Sequence, residues 1–181
     1  MLSASKGNWV YYTWLDQGEG DPNLKPPYHF GKTIAIILYL LAGARVFGTL
    51  CTVVVDQYFT SPTLMIVLTY LKVKCIGTCQ ASRRGWPSSQ ISETEETDGK
   101  VKAPGDTIFK HEVGKRGLLD WVMTAIQWFD KNVVHLLTNC TAAEIMEYLM
   151  KKKGQEEAVS ITQPVARKLY CDHKVGVDVV D

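Results

Sequence analysis

The chain has 181 residues, of which 46% are hydrophobic, which is enough for one domain with a core of its own. Its formal net charge of +1 excludes nucleic-acid binding through bulk basicity, so any such binding has to depend on local patches. The five cysteines are an odd number, and no second Cys pair or His-x-His completes a zinc site, which predicts reduced intracellular thiols.

The first 20 residues predict a strand hairpin. Residues 6–8 have the composition of a turn, and residues 9–15 are rich in aromatic and β-branched side chains. After a loop rich in Gly, Asp and Pro, an apolar helix is predicted at about 29–43. Its uncharged stretch, residues 33–44, is 12 residues long, short of the roughly 20 that cross a bilayer. We therefore expect a helix buried against a sheet and no membrane segment.

The next predicted strand, residues 48–56, carries a carboxylate at its end. Three valines precede Asp56, which is typical of a buried strand. Ser61 and Pro62 then have the pattern of a helix start, because the serine can accept from free N–H groups and the proline has no N–H to leave unpaired. An Asp at the end of a buried strand is how nuclease-like folds present a metal ligand, although it is also an ordinary residue for a strand end.

The order of these elements predicts an α/β fold. A helix at 62–72 and a short strand at 73–79 follow Asp56. Strands that alternate with helices favour a layered arrangement with parallel pairing after the first hairpin.

The second half of the chain is more mixed. Residues 88–107 are polar and predict a mobile loop. Two strands are predicted at about 119–129 and 133–138. A capping-box pattern predicts a helix over 141–154, and a last helix starts at about Thr162.

Four sequence blocks, in this order along the chain, resemble those of piggyBac-type transposases and the proteins derived from them. The family patterns are D-N-F/Y-F/Y-T-S-P, G-T-x-R-x-N-R-K/R-G-x-P, G-D-x followed by W-x-D-x-K-x-V-x-x-L-S-T, and Y-N-x-x-M-G-G-V-D-x-x-D. The matching residues here are 56–62, 75–79 with 83–87, 105–107 with 128–138, and 170–181.

The resemblance implies a ribonuclease-H-like α/β core with an inserted β-rich and polar subdomain, incomplete at both ends. On this reading, residues 1–80 form the first part of the core. Residues 81–160 form the insertion, which contains the loop at 88–107 and the hairpin at 119–138. Residues 161–181 begin the C-terminal core helices.

The family's chemistry implies a set of acidic residues. Its members cut and join DNA with divalent ions such as Mg²⁺, which prefer carboxylate ligands from separate elements that converge. Asp56 matches the second catalytic position, Asp178 the third, and Asp181 an auxiliary one. Asp56 and Asp178 are therefore the implied metal ligands, although aspartates at 178 and 181 would also suit a solvated helix N-terminus.

The first catalytic position carries Ala4 where the family has an Asp. A methyl group cannot bind a cation, so we expect Mg²⁺ binding to be impaired and strand transfer to be lost. The expected state is a degenerate catalytic core.

Four basic residues are candidates for DNA contact. Lys72, Lys74, Arg83 and Arg84 are predicted to form a phosphate-contacting edge beside Asp56. The alternative is an ordinary rim of charges that keeps the protein soluble.

The resemblance also implies partners and a place of action. These are DNA (transposon ends and TTAA targets), self-association, and the nucleus. Two alternatives remain open. One is a domesticated nuclear module that binds DNA or proteins without catalysis, using the hydrophobic helices and the loop at 88–107. The other is a fragment of a decaying element with no selected role.

Overall fold

The computed structural model describes residues 2–3, 10–12, 30–87, 96–97, 100–101, 105–116, 119–129, 132–140, 144–150 and 159–174. The helices are α1 (Lys32–Gly43), α2 (Pro62–Tyr70) and α3 (Val165–His173). The strands are β1 (Leu2–Ser3), β2 (Val10–Tyr12), β3 (Thr52–Val55), β4 (Lys74–Thr78), β5 (Glu96–Thr97), β6 (Lys100–Val101), β7 (Thr107–Arg116), β8 (Leu119–Phe129), β9 (Val133–Thr138), β10 (Ile145–Met150) and β11 (Val159–Pro164).

A five-stranded mixed sheet organises the described part of the chain. Its strand order is β3-β4-β9-β8-β7. β3 and β4 run parallel, with α2 as the crossover between them, whereas the other neighbouring strands run antiparallel. The predicted α/β layering with a parallel pair is therefore confirmed.

One face of the sheet carries the main core. Leu64, Met65 and Leu68 of α2 are fully buried and belong to one apolar cluster with Cys75 of β4 and Leu137 of β9. Apolar side chains of α1 belong to the same cluster. The predicted helix at 29–43 is thus a core helix, and within the residues described above no helix is long and apolar enough to cross a membrane.

The opposite face is covered by α3. Ala166 of this helix is buried with Ile126 and Leu136, and Tyr170 packs at the edge of that smaller cluster. The sheet between Thr52 and Phe129 therefore has helices on both faces, so its central strands are shielded from water on both sides.

Several predicted elements are confirmed. β8 and β9 have the predicted bounds, and β9 pairs with both β8 and β4. β1 pairs antiparallel with β2, as expected for the first hairpin, whereas its turn at 6–8 lies outside the described residues. Most of the predicted loop at 88–107 also lies outside them, and the subdomain boundaries near 80 and 160 stay a prediction.

The predicted helix at 141–154 is wrong. Residues 145–150 form β10, which pairs antiparallel with β11 over six positions, from Ile145 opposite Pro164 to Met150 opposite Val159. β11 has the sequence Val-Ser-Ile-Thr-Gln-Pro, whose β-branched side chains favour a strand. This pairing with the next strand overrides the local helix signal of the first segment.

Candidate functional site

β3 carries Asp56 to the C-terminal end of the parallel strand pair. Val53 and Val55 are buried with 8% and 5% exposure, and the residue after the strand, Asp56, is exposed. The two valines anchor the strand in the core, so the carboxylate emerges at the sheet edge, as the run of valines before Asp56 predicted.

The turn after Asp56 is held by four hydrogen bonds to this one residue. Its carbonyl oxygen accepts from Phe59 N at 3.1 Å, Thr60 N at 3.0 Å and Thr60 Oγ1 at 2.8 Å. Its carboxylate Oδ1 accepts from Tyr58 N at 2.8 Å. A short side-chain acceptor that closes its own turn is a common use of Asp at such positions. The orientation of the Asp56 carboxylate is thereby fixed relative to the strand.

Gly77 of β4 allows the turn to lie directly on the sheet. Gly77 pairs with Val55, and a Cβ at Gly77 would overlap Thr60 Oγ1 and lie 2.8 Å from both Val55 Cγ2 and Val55 O. Thr60 itself is completely buried. The absence of a side chain at position 77 is therefore what lets the Asp56 turn pack so closely.

Arg83 ties the neighbouring loop to the same turn. Its guanidinium Nη2 donates to the carbonyl oxygens of Gln57 at 3.2 Å and Tyr58 at 2.6 Å. Trp86, three residues after Arg83, anchors the same loop. It is 6% exposed and packs edge-on against the His135 ring at a centroid distance of 5.0 Å. Arg83 thus helps to hold the backbone of the Asp56 turn in place. No local sequence pattern indicated this role, because its partners lie 25 and 26 residues away.

The four predicted basic residues do not form one edge beside Asp56. Arg84 is exposed in the loop next to Arg83, close to the Asp56 turn. Lys74 pairs with Thr52, four residues before Asp56, which at about 3.3 Å per residue separates the two positions by about 13 Å. Lys72 precedes Lys74 and is exposed at the same far end. The prediction that Lys72 and Lys74 lie on one edge beside Asp56 is therefore wrong. Their contact with DNA stays a prediction.

Cys79, whose thiol lies 3.9 Å from Thr60 O in the Asp56 turn, and Cys75 in the core beneath are both neutral thiols. Burial raises the pKa of Cys79 to about 11, although Arg83 nearby works in the opposite direction. Burial likewise raises the pKa of Cys75, with a further contribution from Cys140. Thiolates rather than thiols are the nucleophiles and metal ligands. Near neutral pH these two side chains therefore contribute to packing and act neither as nucleophiles nor as metal ligands.

The Asp56 carboxylate suits a hard divalent ion such as Mg²⁺, because it is exposed, oriented and an oxygen donor. Its predicted partners Asp178 and Asp181, together with Ala4, lie outside the described residues. Among the residues that are described, no three His, Cys, Asp or Glu side chains come together as a metal site. The approach of Asp178 to Asp56 stays a prediction.

Comparison with known proteins gives two positive findings. A family model described as Transposase IS4 matches residues 9–181. A piggyBac transposase, solved by cryo-EM as a synaptic complex with hairpin DNA, is similar in structure, with a TM-score of 0.56 at 19% sequence identity. No curated protein sequence matches the chain significantly.

The structural match covers 90% of this chain and 28% of that transposase chain, so this chain spans just over a quarter of its length. At this level of identity the likeness concerns the fold, and it confirms the predicted α/β fold. The sequence match over residues 9–181 confirms the predicted resemblance.

Proposed function

We propose, from the premise that the chain belongs to the Transposase IS4 family, that it is a piggyBac-type transposase core whose catalytic site is degenerate. The observation that carries this proposal is Asp56, an exposed and oriented carboxylate at the C-terminal end of a buried parallel strand. In this proposal the site keeps one acidic position, the carboxylate of Asp56, while Ala4 stands at the first position. Binding of DNA is retained in this proposal, and cleavage with strand transfer is lost.

A divalent ion, when bound, would neutralise charge on the phosphate oxygens of DNA. In this chain Asp56 would hold the ion, with Asp178 as the proposed second ligand and Asp181 nearby. Ala4 supplies no oxygen. The protein's own contribution is to hold the Asp56 carboxylate through its bond from Tyr58 N and to keep the turn on the sheet through Arg83.

DNA is the proposed partner, with transposon ends and TTAA targets as the sites and the nucleus as the compartment. The exposed Arg84 lies next to the loop that contacts the Asp56 turn and would meet a phosphate there. At the other end of β4, Lys72 and Lys74 would contact the DNA backbone further along the duplex. Self-association belongs to the same proposal.

A nicking assay tests the loss of activity. The chain is incubated with Mg²⁺ and a labelled duplex that carries a transposon end, beside the variants Ala4→Asp and Asp56→Ala. We expect no nicked strand from the natural chain, because one ligand position is a methyl group. Nicking by the natural chain that disappears in Asp56→Ala would overturn the proposed inactivity.

The Ala4→Asp variant serves as the positive arm. Restoring a carboxylate at position 4 is expected to raise nicking above background, and Ala4→Asp combined with Asp56→Ala is expected to return it to background. Activity in the double variant would show that position 56 is not part of the site.

A non-catalytic protein-binding module is the second candidate. Its hydrophobic helices are not free to bind, since the apolar side chains of α1 and α2 that form the core are buried. The observation that favours it is on β10, where Ile145 and Leu149 are 53% and 68% exposed. Exposed apolar side chains on a strand are candidates for contact with another protein. The salt dependence of DNA affinity separates the two candidates.

A further inference from the structure

The ring of Tyr58 is exposed on the turn that begins at Asp56. It is 61% exposed, whereas the next residue, Phe59, packs against the main core. Two aromatic residues in succession therefore have opposite environments, one facing the core and one facing solvent. Large exposed aromatic side chains beside a functional site are typical of contact residues.

The position of Tyr58 is held on three sides. Its N–H donates to Asp56 Oδ1 at 2.8 Å, and its carbonyl accepts from Arg83 Nη2 at 2.6 Å. Its ring packs edge-to-face on Phe59, with centroids 5.1 Å apart and an interplanar angle of 89°. An exposed ring that is already ordered loses little conformational entropy when a ligand binds to it.

We propose that Tyr58 is a positioning residue that stacks on an unpaired DNA base next to the phosphate at the Asp56 site. This inference rests on the proposed DNA function and adds the part of the substrate that the site recognises. Every base has a π-face, so an ordered aromatic ring binds it without regard to sequence. The charged side chains that bond the Tyr58 backbone, Asp56 and Arg83, disfavour a purely apolar protein partner at this turn.

The base has to be unpaired because the faces of bases inside a duplex are covered by their neighbours. A single ring on a turn reaches a base face only where stacking is interrupted, as in a single-stranded overhang. Tyr58 therefore distinguishes an end with an overhang from a blunt duplex, while the basic residues contact both.

Binding to two DNA substrates tests this role. One is a duplex with a short single-stranded overhang that contains a fluorescent adenine analogue, and the other is the blunt duplex of the same sequence. For Tyr58→Ala we expect about a tenfold loss of affinity for the overhang substrate, the size of effect that removal of one stacking ring produces. Tyr58→Phe is expected to bind like the natural chain, since it keeps the ring, and binding to the blunt duplex is expected to be unchanged in both variants.

Tyr148→Ala is the matched control. Tyr148 is also an exposed tyrosine, 37% exposed, but it lies on β10 and not on the Asp56 turn. This variant is expected to keep the affinity of the natural chain. Quenching of the analogue's fluorescence is expected with the natural chain and with Tyr58→Phe and is expected to be lost with Tyr58→Ala. Unchanged binding of Tyr58→Ala to the blunt duplex shows that this loss does not come from unfolding.

The outcomes separate the inference from the proposed function. If the natural chain binds the overhang substrate and Tyr58→Ala binds it equally well with the same quenching, the stacking role is wrong and the DNA function stands. If the natural chain binds neither substrate, the proposed function fails and the inference fails with it.

Discussion

At the residue scale, Asn139 joins three elements through one amide. Its Oδ1 accepts from Cys75 N at 2.6 Å, and its Nδ2 donates to Met65 O at 3.3 Å, Thr69 Oγ1 at 3.0 Å and Val73 O at 3.1 Å. These partners lie on α2, at the entrance to β4 and on β4 itself, while Asn139 follows β9. The amide therefore fixes the crossover helix of the strand pair that presents Asp56.

We predict that Asn139→Ala lowers the free energy of unfolding by about 2–4 kcal/mol, because it leaves a backbone N–H and carbonyl groups without their partner. Asn139→Asp should also destabilise the protein, because a carboxylate keeps the acceptor but loses both donors. Urea unfolding followed by circular dichroism measures the change.

Asn132→Ala is the control for this prediction. Asn132 is exposed at the start of β9, so its replacement should change the free energy of unfolding by less than about 0.5 kcal/mol. Equal stability of Asn139→Ala and Asn132→Ala would contradict the role of the amide. The sequence gives no sign of this role, because the partners of Asn139 lie 64 to 74 residues away along the chain.

At the scale of an element, α2 depends on a cap that was readable from the sequence. Ser61 has extended backbone geometry, its Oγ accepts from Leu64 N at 3.2 Å, and Pro62 occupies the first turn. The cap lies six residues after Val55, the last residue of β3, and directly follows the turn that begins at Asp56. Stability of the helix start and geometry of the site are thus coupled through five residues, 56–60.

We predict that Ser61→Ala lowers the free energy of unfolding by about 1 kcal/mol, since one N–H at the helix start loses its acceptor. Ser61→Asp should be close to neutral, because a carboxylate also accepts from that N–H and suits the positive end of the helix dipole. Thermal unfolding of both variants beside the natural chain provides the measurement. A loss in Ser61→Asp as large as that in Ser61→Ala would show that the hydroxyl acts by packing rather than as a cap.

Elements with a complete local signal were predictable, and strands that form only through pairing with a neighbouring strand were not. β3, α2 and β8 carry their own β-branched runs, caps or periodicity, and each appears where it was expected. β7 was missed, although it pairs with β8 over ten positions from Thr107 to Arg116. Its mixed polar sequence becomes a strand because β8 offers a free edge. β10 also becomes a strand through pairing, and here the capping-box pattern was a stronger competing signal because it predicted a helix.

At the scale of the whole molecule, the sequence predicted the place of Asp56 but not the layout of charge around it. A carboxylate that follows a buried strand has to emerge at the sheet edge, so its position follows from local pattern. The distance from Asp56 to Lys74 depends on the register of β3 with β4, which no local pattern contains. The hydrogen bonds from Arg83 to the carbonyl oxygens of Gln57 and Tyr58 likewise depend on tertiary contact.

This layout predicts how DNA affinity responds to salt. With a net charge of +1 the protein has no bulk attraction for DNA, so the affinity should fall with ionic strength in proportion to a small number of phosphate contacts. Arg84→Ala should reduce the slope of log affinity against log salt by about 1, because it removes an exposed guanidinium that we propose contacts a phosphate. Lys72→Ala should have a similar effect if DNA runs along the sheet from the Asp56 turn.

The adjacent Arg83 gives a matched comparison of the same charge in a different role. Because its guanidinium is bonded to Gln57 O and Tyr58 O, Arg83→Ala should leave the slope nearly unchanged and lower the free energy of unfolding by about 1 kcal/mol. Fluorescence anisotropy titrations at several salt concentrations, paired with urea unfolding, distinguish the two arginines. Equal slopes for Arg83→Ala and Arg84→Ala would show that charge alone matters here, and a slope near zero in the natural chain would favour the protein-binding module.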